Sequence, residues 1–494
     1  MSAPSTDKID IDIPHLDQLF IAGEWVDSAH SETIDVVMPS TEEVIAQVPS
    51  PSIADADAAV RAARAAFDVG VWPRSTVEER AAVCRRFADE LESRLDGMNR
   101  AWTYESGYTQ AFGEMINSGA GTAIWGHAIS VAASLPWEER RSNGASEVLV
   151  QRQPIGTVLA ILTYNGPVTL MGMKVIPALL AGCTVVVKFA PESQLTSRFI
   201  ADAAHAAGFP SGVISVLAAG TDTSQHLVRS EGIDMVHMTG GTAVAMEVVK
   251  QTSQRLGRTA LELGGKSPAL ITDDAVLDDV LPTLIPGSVG SSGQVCVALS
   301  RILVSRKRYE EVVQRLADGF EALKVGDPFD PATDLGPMAN KRSVERTQGF
   351  LDRAIAQGAK VVTGGARPSD LDRGFYFAPT LLRDVTTDME IAQEEVFGPI
   401  IVVIAYDDVD DAVRIANDTK FGLAGSVYAG DRESALAIAR RIRSGAVAIN
   451  MAGVSLTEPF GGVKQSGWGR ECGAEGILEF TELKQILLSG AYSD

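Results

Sequence analysis

Cysteine is scarce in this chain. Cys84, Cys183, Cys296 and Cys472 are the only four in 494 residues, set far apart and without a CxxC pair. That usage belongs to a reducing compartment and excludes a disulfide framework and a thiolate zinc site. Six scattered histidines form neither HxxxH nor HExxH, so no metal site is expected. Basic residues are outnumbered, 43 against 64 acidic ones, and the formal charge of −21 excludes nucleic acid or an anionic membrane as partner. Long apolar runs are missing too. The most apolar region, 158–182, is broken by Asn165, Gly166, Pro167, Lys174 and Pro177, which rules out a membrane span. The opening MSAPSTDKIDID has no basic or apolar leader segment and reads as an acidic tail rather than a signal peptide. A soluble, cytoplasmic protein is the expectation.

What is present is an ordinary globular composition, 45% hydrophobic and 22% charged. The length predicts two large domains with a smaller appendage. Residues 19–26 (LFIAGEWV) alternate like a hairpin. Helices are expected over 53–67, capped by Ser52, and from a capping box in Ser75-Thr76-Val77-Glu78 through Leu95. Residues 137–153 form a polar, amphipathic ribbon with an Asn143-Gly144 turn signal, of a kind that reaches to another subunit or domain. From Ile155 the pattern becomes short apolar strands (157–162, 184–188, 213–217, 234–238) alternating with helices, the βαβ signature of a doubly wound parallel sheet. Ligands of such sheets bind beyond the carboxyl ends of the strands. Asn165, Lys188, Gly220 and Thr239-Gly240-Gly241-Thr242 sit at those ends. A second α/β region begins after 261–266 and ends in a strand-like segment, 486–489.

The stretch 286–301, PGSVGSSGQVCVALSR, places Cys296 in a turn of small residues just before an apolar strand. Little steric bulk lets such a thiol approach a ligand, and a turn rich in N–H donors lowers its pKa from about 8.5. Read alone, the stretch fits an inert buried cysteine better. The other signals are individually weak. Thr239 to Thr242 could seat a phosphate on a helix start but is not G-x-G-x-x-G, and alone is an ordinary βα turn. Lys188 and Glu262 read equally as solvated charges, Asn165 as a turn former, and Glu395 as a surface acid beside Phe397. Their order and spacing are the stronger observation.

In that order the chain resembles the aldehyde dehydrogenase superfamily, in particular its hydrolytic, NAD(P)-dependent members. The resemblance runs from Phe20-Ile21-Ala22-Gly23-Glu24-Trp25-Val26 to the end. It rests on Tyr164-Asn165, 261–268 (LELGGKSP), 293–298 (GQVCVA), 394–399 (EEVFGP) and 459–469 (PFGGVKQSGWG).

The resemblance implies an α/β fold with three parts. A Rossmann-type doubly wound cofactor domain would take 1–133 and 153–261 with part of 447–477. An α/β catalytic domain would take 262–446, and a small β oligomerisation ribbon 134–152 and 478–494. It implies Cys296 as nucleophile, Glu262 as the base that activates water, Asn165 as oxyanion donor, and Lys174 and Glu471 as a proton relay. NAD, with NADP as the alternative, would be held by Ile161, Leu162, Thr163, Tyr164, Asn165, Lys188, Ala190, Glu192, Gly220, Thr239, Gly240, Gly241, Val244, Glu262, Leu263, Gly264, Cys296, Glu395 and Phe397. The substrate tunnel would draw on Gly166, Thr169, Leu170, Met173, Val295, Val297, Val454 and Phe460.

Four positions depart from the common family pattern. Tyr164 replaces a tryptophan, Gly241 a serine and Ala245 a glycine. The glutamate that grips the adenosine ribose would fall at Pro191, with Glu192 one place late. No arginine stands nearby for a 2′-phosphate, which favours NAD. Gly166 and Met173 stand where relatives carry aromatic rings, implying a roomy apolar tunnel for medium-chain, branched or cyclic aldehydes. The expected assembly is a homodimer or homotetramer. The competing expectations are a semialdehyde-specific or NADP-preferring enzyme of the same family, and a member kept as a structural or binding protein without turnover.

Overall fold

The computed structural model describes residues 9–142, 144 and 146–488. The start of the acidic tail, Asn143 of the turn signal and the residues after 488 lie outside the described residues.

Two large sheets organise the chain. In the first, five parallel strands run in the spatial order Arg258–Glu262, Met235–Thr239, Thr157–Ile161, Thr184–Phe189 and Ile214–Ala218. The hairpin Leu19–Ile21 and Glu24–Val26 closes one edge antiparallel, and Gly467–Trp468 closes the other. The chain winds outward from Thr157–Ile161 on one side, then returns to add Met235–Thr239 on the other. The order therefore reverses beside Thr157–Ile161, and a crevice opens there at the carboxyl ends.

Alternation assigns the two faces of this sheet. Val158, Ala160, Val185, Val187, Ile214 and Met235 face one apolar core, covered by helices such as Val77–Glu92 and Gln194–Ala207. Leu159, Val186, Leu217, Val236 and Met238 face the other, under Ile53–Asp68, Thr221–Arg229 and Thr242–Ser253. Strands covered on both faces need the near-continuous apolar runs that the sequence shows.

The second sheet runs Lys360–Thr363, Thr380–Arg383, Ile400–Tyr406, Arg301–Ser305, Pro268–Ile271, Ser426–Tyr428 and Ala448–Ile449. All its pairs are parallel except the first. It too is covered on both faces. A three-stranded antiparallel ribbon (Glu138–Ser142, Glu147–Pro154, Thr481–Leu488) stands apart from both sheets.

Helix starts follow side-chain chemistry. Ser52 and Asp55 form a reciprocal capping box on Ile53–Asp68. The second helix corrects the expectation by one residue, because its box is Thr76 with Glu79. Ser75 is already used, its hydroxyl donating to the Trp72 carbonyl at 2.7 Å and closing the turn Trp72–Arg74. This helix stops at Glu92, and Leu95 opens a separate helix, Leu95–Ser106.

The chain crosses from the first sheet to the second in five residues, Leu263 to Ser267. The crossing is pinned from both sides. The Leu263 amide donates to the Ser466 carbonyl at 3.0 Å and the Ser466 hydroxyl to the Gly264 carbonyl at 2.7 Å. From the second sheet, fully buried Arg301 donates to the carbonyls of Lys266 (2.8 Å), Ile415 (2.9 Å) and Ala416 (2.8 Å). Arg301→Leu leaves three buried carbonyls without that partner, each worth about 1–3 kcal/mol. It should lower the thermal unfolding midpoint by several degrees, and an unchanged midpoint would show that the guanidinium is not holding the crossing.

Candidate active site

Helix Leu277–Val289 ends in a tight turn, Gly290–Gly293, in which Ser291, Ser292 and Gly293 take φ of 56°, 52° and 69°. Three successive left-handed residues reverse the chain sharply. At Gly293 a Cβ would lie 2.3 Å from the Gly398 carbonyl oxygen, so only glycine fits. Cys296 follows this turn, part-buried, between Val295 and Val297 in the chain.

Asn165, at the carboxyl end of Thr157–Ile161, reaches the same turn. Its Nδ2 donates to the Gln294 carbonyl at 3.2 Å, while its Oδ1 accepts from the Thr163 hydroxyl at 2.6 Å. The amide is thereby fixed with its donor edge toward the cysteine loop. The Tyr164 hydroxyl donates to Gln294 Oε1 at 3.3 Å, and Trp102 Nε1 donates to the Tyr164 carbonyl at 2.7 Å. The hydroxyl that replaces an indole at Tyr164 thus points to Gln294, and the ring meets Phe397 edge-on at 6.4 Å. Gln294 is the residue that sequence reasoning passed over. Besides these contacts its Oε1 accepts from the Ala339 amide at 3.1 Å, which ties the cysteine loop to both sheets' loops. A polar side chain two places before a nucleophile was the available signal.

Glu262 ends the strand Arg258–Glu262 and is 4% exposed, and neither of its oxygens closes a hydrogen bond among the described residues. Burial, then Glu471, push its carboxyl well above the usual range, against the pull of Lys174, the nearby Gly462 amide and Arg470. Lys174 and Glu471 form a buried ion pair behind it. Glu471 is raised by burial, with Lys174 opposing.

The Cys296 thiol departs from expectation. Burial, followed by Glu395, Glu262 and Glu471, pushes it up to about 12, and only Lys174 pulls the other way. The turn does not make it acidic, because carboxylates from distant segments surround it.

At the crevice of the first sheet, Gly241 caps Thr242–Ser253 with no side-chain cap, and a Cβ there would meet nothing within 4 Å. Gly220 has the same open space at the start of Thr221–Arg229. The Thr239 hydroxyl is buried without a partner among the described residues, and Val244 is exposed on the first helical turn. Ala245 is buried in the core, so its side chain turns away from the opening. Lys188 is part-exposed at its strand end and pushed down to about 8 by burial, with Glu192 opposing. Glu192 Oε1 accepts from Asn340 Nδ2 at 2.8 Å. Glu395 Oε1 accepts from the Gly265 amide at 3.1 Å and is raised by burial. Ile161, Thr163 and Gly240 are part-exposed around the same opening, whereas Leu162, Ala190, Leu263 and Gly264 are buried in its walls. Open helix starts, a strand-end lysine and a buried carboxylate around one crevice suit a dinucleotide's phosphates and ribose.

On the far side of Cys296, Leu170, Met173 and Phe460 are buried in one apolar cluster, with Cys296, Val297 and Val454 packed against it. Gly166 has room for a Cβ, the nearest atom being Thr169 Cβ at 3.7 Å, and the Thr169 hydroxyl donates to the Ile116 carbonyl at 3.3 Å.

The profile described as Aldehyde dehydrogenase family matches residues 25–486. The chain belongs to the aldehyde dehydrogenase family. It is 38% identical over 473 residues to geranial dehydrogenase of Castellaniella defragrans, covering 96% of this chain and 98% of that one. Among solved structures, the aldehyde dehydrogenase of Mycobacterium tuberculosis complexed with NAD+ superposes with a TM-score of 0.95 at 40% identity, covering 97% of this chain and 99% of that one. A mutant of aldehyde dehydrogenase C from Pseudomonas syringae, complexed with NAD+ and octanal, gives a TM-score of 0.93 at 36% identity, covering 99% of this chain and 100% of that one. The α/β architecture is that of this family, and no helix among the described residues is long and apolar enough to cross a membrane.

The electrostatics of this aldehyde dehydrogenase site make a direct prediction. Where burial and carboxylates favour the neutral thiol, the thiolate fraction is small at neutral pH and grows tenfold per pH unit. Alkylation of Cys296 by iodoacetamide, without cofactor or substrate, should accelerate from about pH 7 to about pH 10 without levelling off. A rate already flat by about pH 8 would show an acidic thiol instead.

Proposed function

We propose that the protein oxidises an aldehyde to its carboxylic acid with NAD, through a covalent intermediate on Cys296. The observation that carries this is the meeting of the cysteine turn, the oriented Asn165 amide and the unpartnered Glu262 carboxyl where the chain crosses between sheets.

Cys296 first loses its thiol proton to solvent, and the small thiolate fraction adds to the aldehyde carbon, so that the carbonyl oxygen becomes an oxyanion. The Asn165 Nδ2 donor and the Cys296 backbone N–H stabilise it, one such donor being worth about 2.7–4 kcal/mol. A bound oxidised nicotinamide would supply the acceptor for the hydride that the substrate carbon loses. Lys188, Glu395, Gly220, Gly240 and Gly241 are the residues that would hold the cofactor, with Phe397 beside Tyr164 at its reactive end. Oxidation leaves a thioester on the same sulfur. Glu262 then takes a proton from water, the hydroxide attacks the thioester carbon, and the carbon–sulfur bond breaks to release the acid. A carboxyl raised by burial is a stronger base than a solvated one, so Glu262 is suited to this step near neutral pH. Behind it, Lys174 and Glu471 serve as a proton relay.

NAD is favoured over NADP because the Glu192 carboxylate stays near Lys188 and repels a 2′-phosphate. The apolar residues Leu170, Met173, Val297, Val454 and Phe460, with the absence of a side chain at Gly166, fit a medium-chain, branched or cyclic aldehyde. The geranial dehydrogenase relative and the octanal-bound neighbour support that class. On this reading the chain divides into cofactor (1–133 and 153–261 with part of 447–477), catalytic (262–446) and ribbon (134–152, 478–494) parts. Leu483 and Leu487, 61% and 59% exposed on one face of the ribbon, favour a homo-oligomer. A cytoplasmic enzyme completes the reading.

Cys296→Ser should lower kcat by at least about a thousandfold. Glu262→Gln should keep a burst of NADH but slow steady turnover by about a hundredfold or more. A Cys296→Ser variant at full rate would overturn the mechanism. In a panel assayed with NAD and NADP separately, kcat/KM should peak for medium-chain, branched or cyclic apolar aldehydes with NAD. A maximum at acetaldehyde with steady decline along the chain would overturn the substrate reading.

A further inference from the structure

His237 stands in the middle of the strand Met235–Thr239, 1% exposed, between Ala160 and Ala260 of the neighbouring strands. Its ring stacks on Phe480, with centroids 5.1 Å apart and planes 28° from parallel. Neither ring nitrogen closes a hydrogen bond among the described residues. Nδ1 stands 3.4 Å from Glu471 Oε1, the oxygen that also takes the Lys174 ammonium, and Glu471 Oε2 is itself without a partner. Burial and the Lys174 charge push the imidazole well below its ordinary range, so the ring is neutral.

An imidazole in an apolar strand, with both nitrogens open, is an expensive choice for a core position. An unpaired buried polar atom is a net cost to folding, and the residues on either side across the sheet are only alanines. The one polar group it approaches is the carboxylate of the Lys174–Glu471 pair. The titratable and charged groups around that pair are Lys174 from the helical segment 167–181, Glu262 from the adjacent strand, Cys296 from the cysteine loop, and Arg470, Cys472 and Glu479 from the C-terminal segment. Lys174 is the cation paired with Glu471, Arg470 acts on Glu262 and Glu479, and the rest carry or would carry negative charge. A neutral N–H donor adds support to Glu471 without adding charge.

We propose that His237 is a positioning residue for this relay: a small turn of its ring brings Nδ1–H, 3.4 Å from Glu471 Oε1, into a hydrogen bond that keeps that carboxylate ionised and aimed at Lys174 while Glu262 takes and gives up its proton. The inference rests on the proposed hydrolytic role of Glu262 and deepens it. His237 touches neither substrate nor cofactor. Loss of the donor makes Glu471 hold a proton more tightly, so the relay needs a higher pH to stay ionised. The acid release that depends on it moves to higher pH, while hydride transfer does not.

The experiment compares His237→Leu with His237→Asn, whose side-chain amide can place an N–H where Nδ1 stood. The purified full-length enzyme is assayed with NAD and an aldehyde from the panel. For His237→Leu the rising limb of the kcat–pH profile should move up by about one pH unit, a tenfold loss of kcat at a fixed pH on that limb. KM for aldehyde and the amplitude of the NADH burst should stay unchanged. His237→Asn should return the limb toward its original position. If the leucine variant lost activity at all pH values with the limb in place, or if asparagine shifted the limb as far as leucine, the imidazole would be packing only and the proposal overturned. Should His237→Leu fail to fold, His237→Gln, which reaches the Nε2 position instead, takes its place, and identical profiles for the Asn and Gln variants would overturn it equally. Absence of any aldehyde-dependent NADH from the unaltered enzyme would instead strike down the oxidation mechanism itself.

Discussion

Everything in this protein's centre depends on keeping several ionisable groups out of water together. Cys296, Glu262, Glu395, Glu471, Lys174 and Lys266 lie within one poorly hydrated region where the chain crosses between its sheets, and only one pair among them, Lys174 with Glu471, is a close salt bridge. Desolvation of that kind disfavours charge, and so pushes thiol and carboxyls up and ammonium down. Lys266 shows it plainly: buried, without a partner for its Nζ among the described residues, it is pushed down to about 7. The fold holds these groups where none is comfortable, which is the condition under which a proton moves readily between them.

The backbone makes that concentration possible. Parallel strands covered on both faces carry almost no polar side chains along their length, so polar chemistry collects at strand ends and crossings. Glu262 is the last residue of one strand and Asn165 follows another closely. Arg301 lies at the start of its own strand and spends its guanidinium on carbonyls of the crossing rather than on a carboxylate. Burial pushes the pKa of the Arg301 guanidinium down to about 10, a cost offset by three hydrogen bonds.

Much of this was legible in the linear chain, and the exceptions have physical causes. The alternation of short apolar runs with helices predicted the first sheet, its strand ends and the crevice, because periodicity and turn residues are local properties. The capping box was misplaced by one residue since Ser75 and Thr76 are chemically alike, and only the preceding turn decides which of them is free. The thiol was misjudged for a deeper reason. A small-residue turn is visible in sequence, but the carboxylates that oppose ionisation come from Glu262, Glu395 and Glu471, segments that folding alone brings together. His237 was likewise a lone histidine in an apolar strand until its neighbour across the core was known.

Gly264 and Gly265 carry a last implication. A Cβ at Gly264 would lie 2.2 Å from the Glu395 carboxylate, and one at Gly265 would lie 2.5 Å from the Cys296 carbonyl oxygen. Two adjacent peptides therefore rest directly on the acid at the dinucleotide crevice and on the backbone of the sulfur residue, with no side chain between to absorb slack. A displacement of one must be felt by the other. Either wall of the crevice can be retuned from further out, but at this seam the placement of the Glu395 carboxylate and that of the Cys296 backbone are a single mechanical variable.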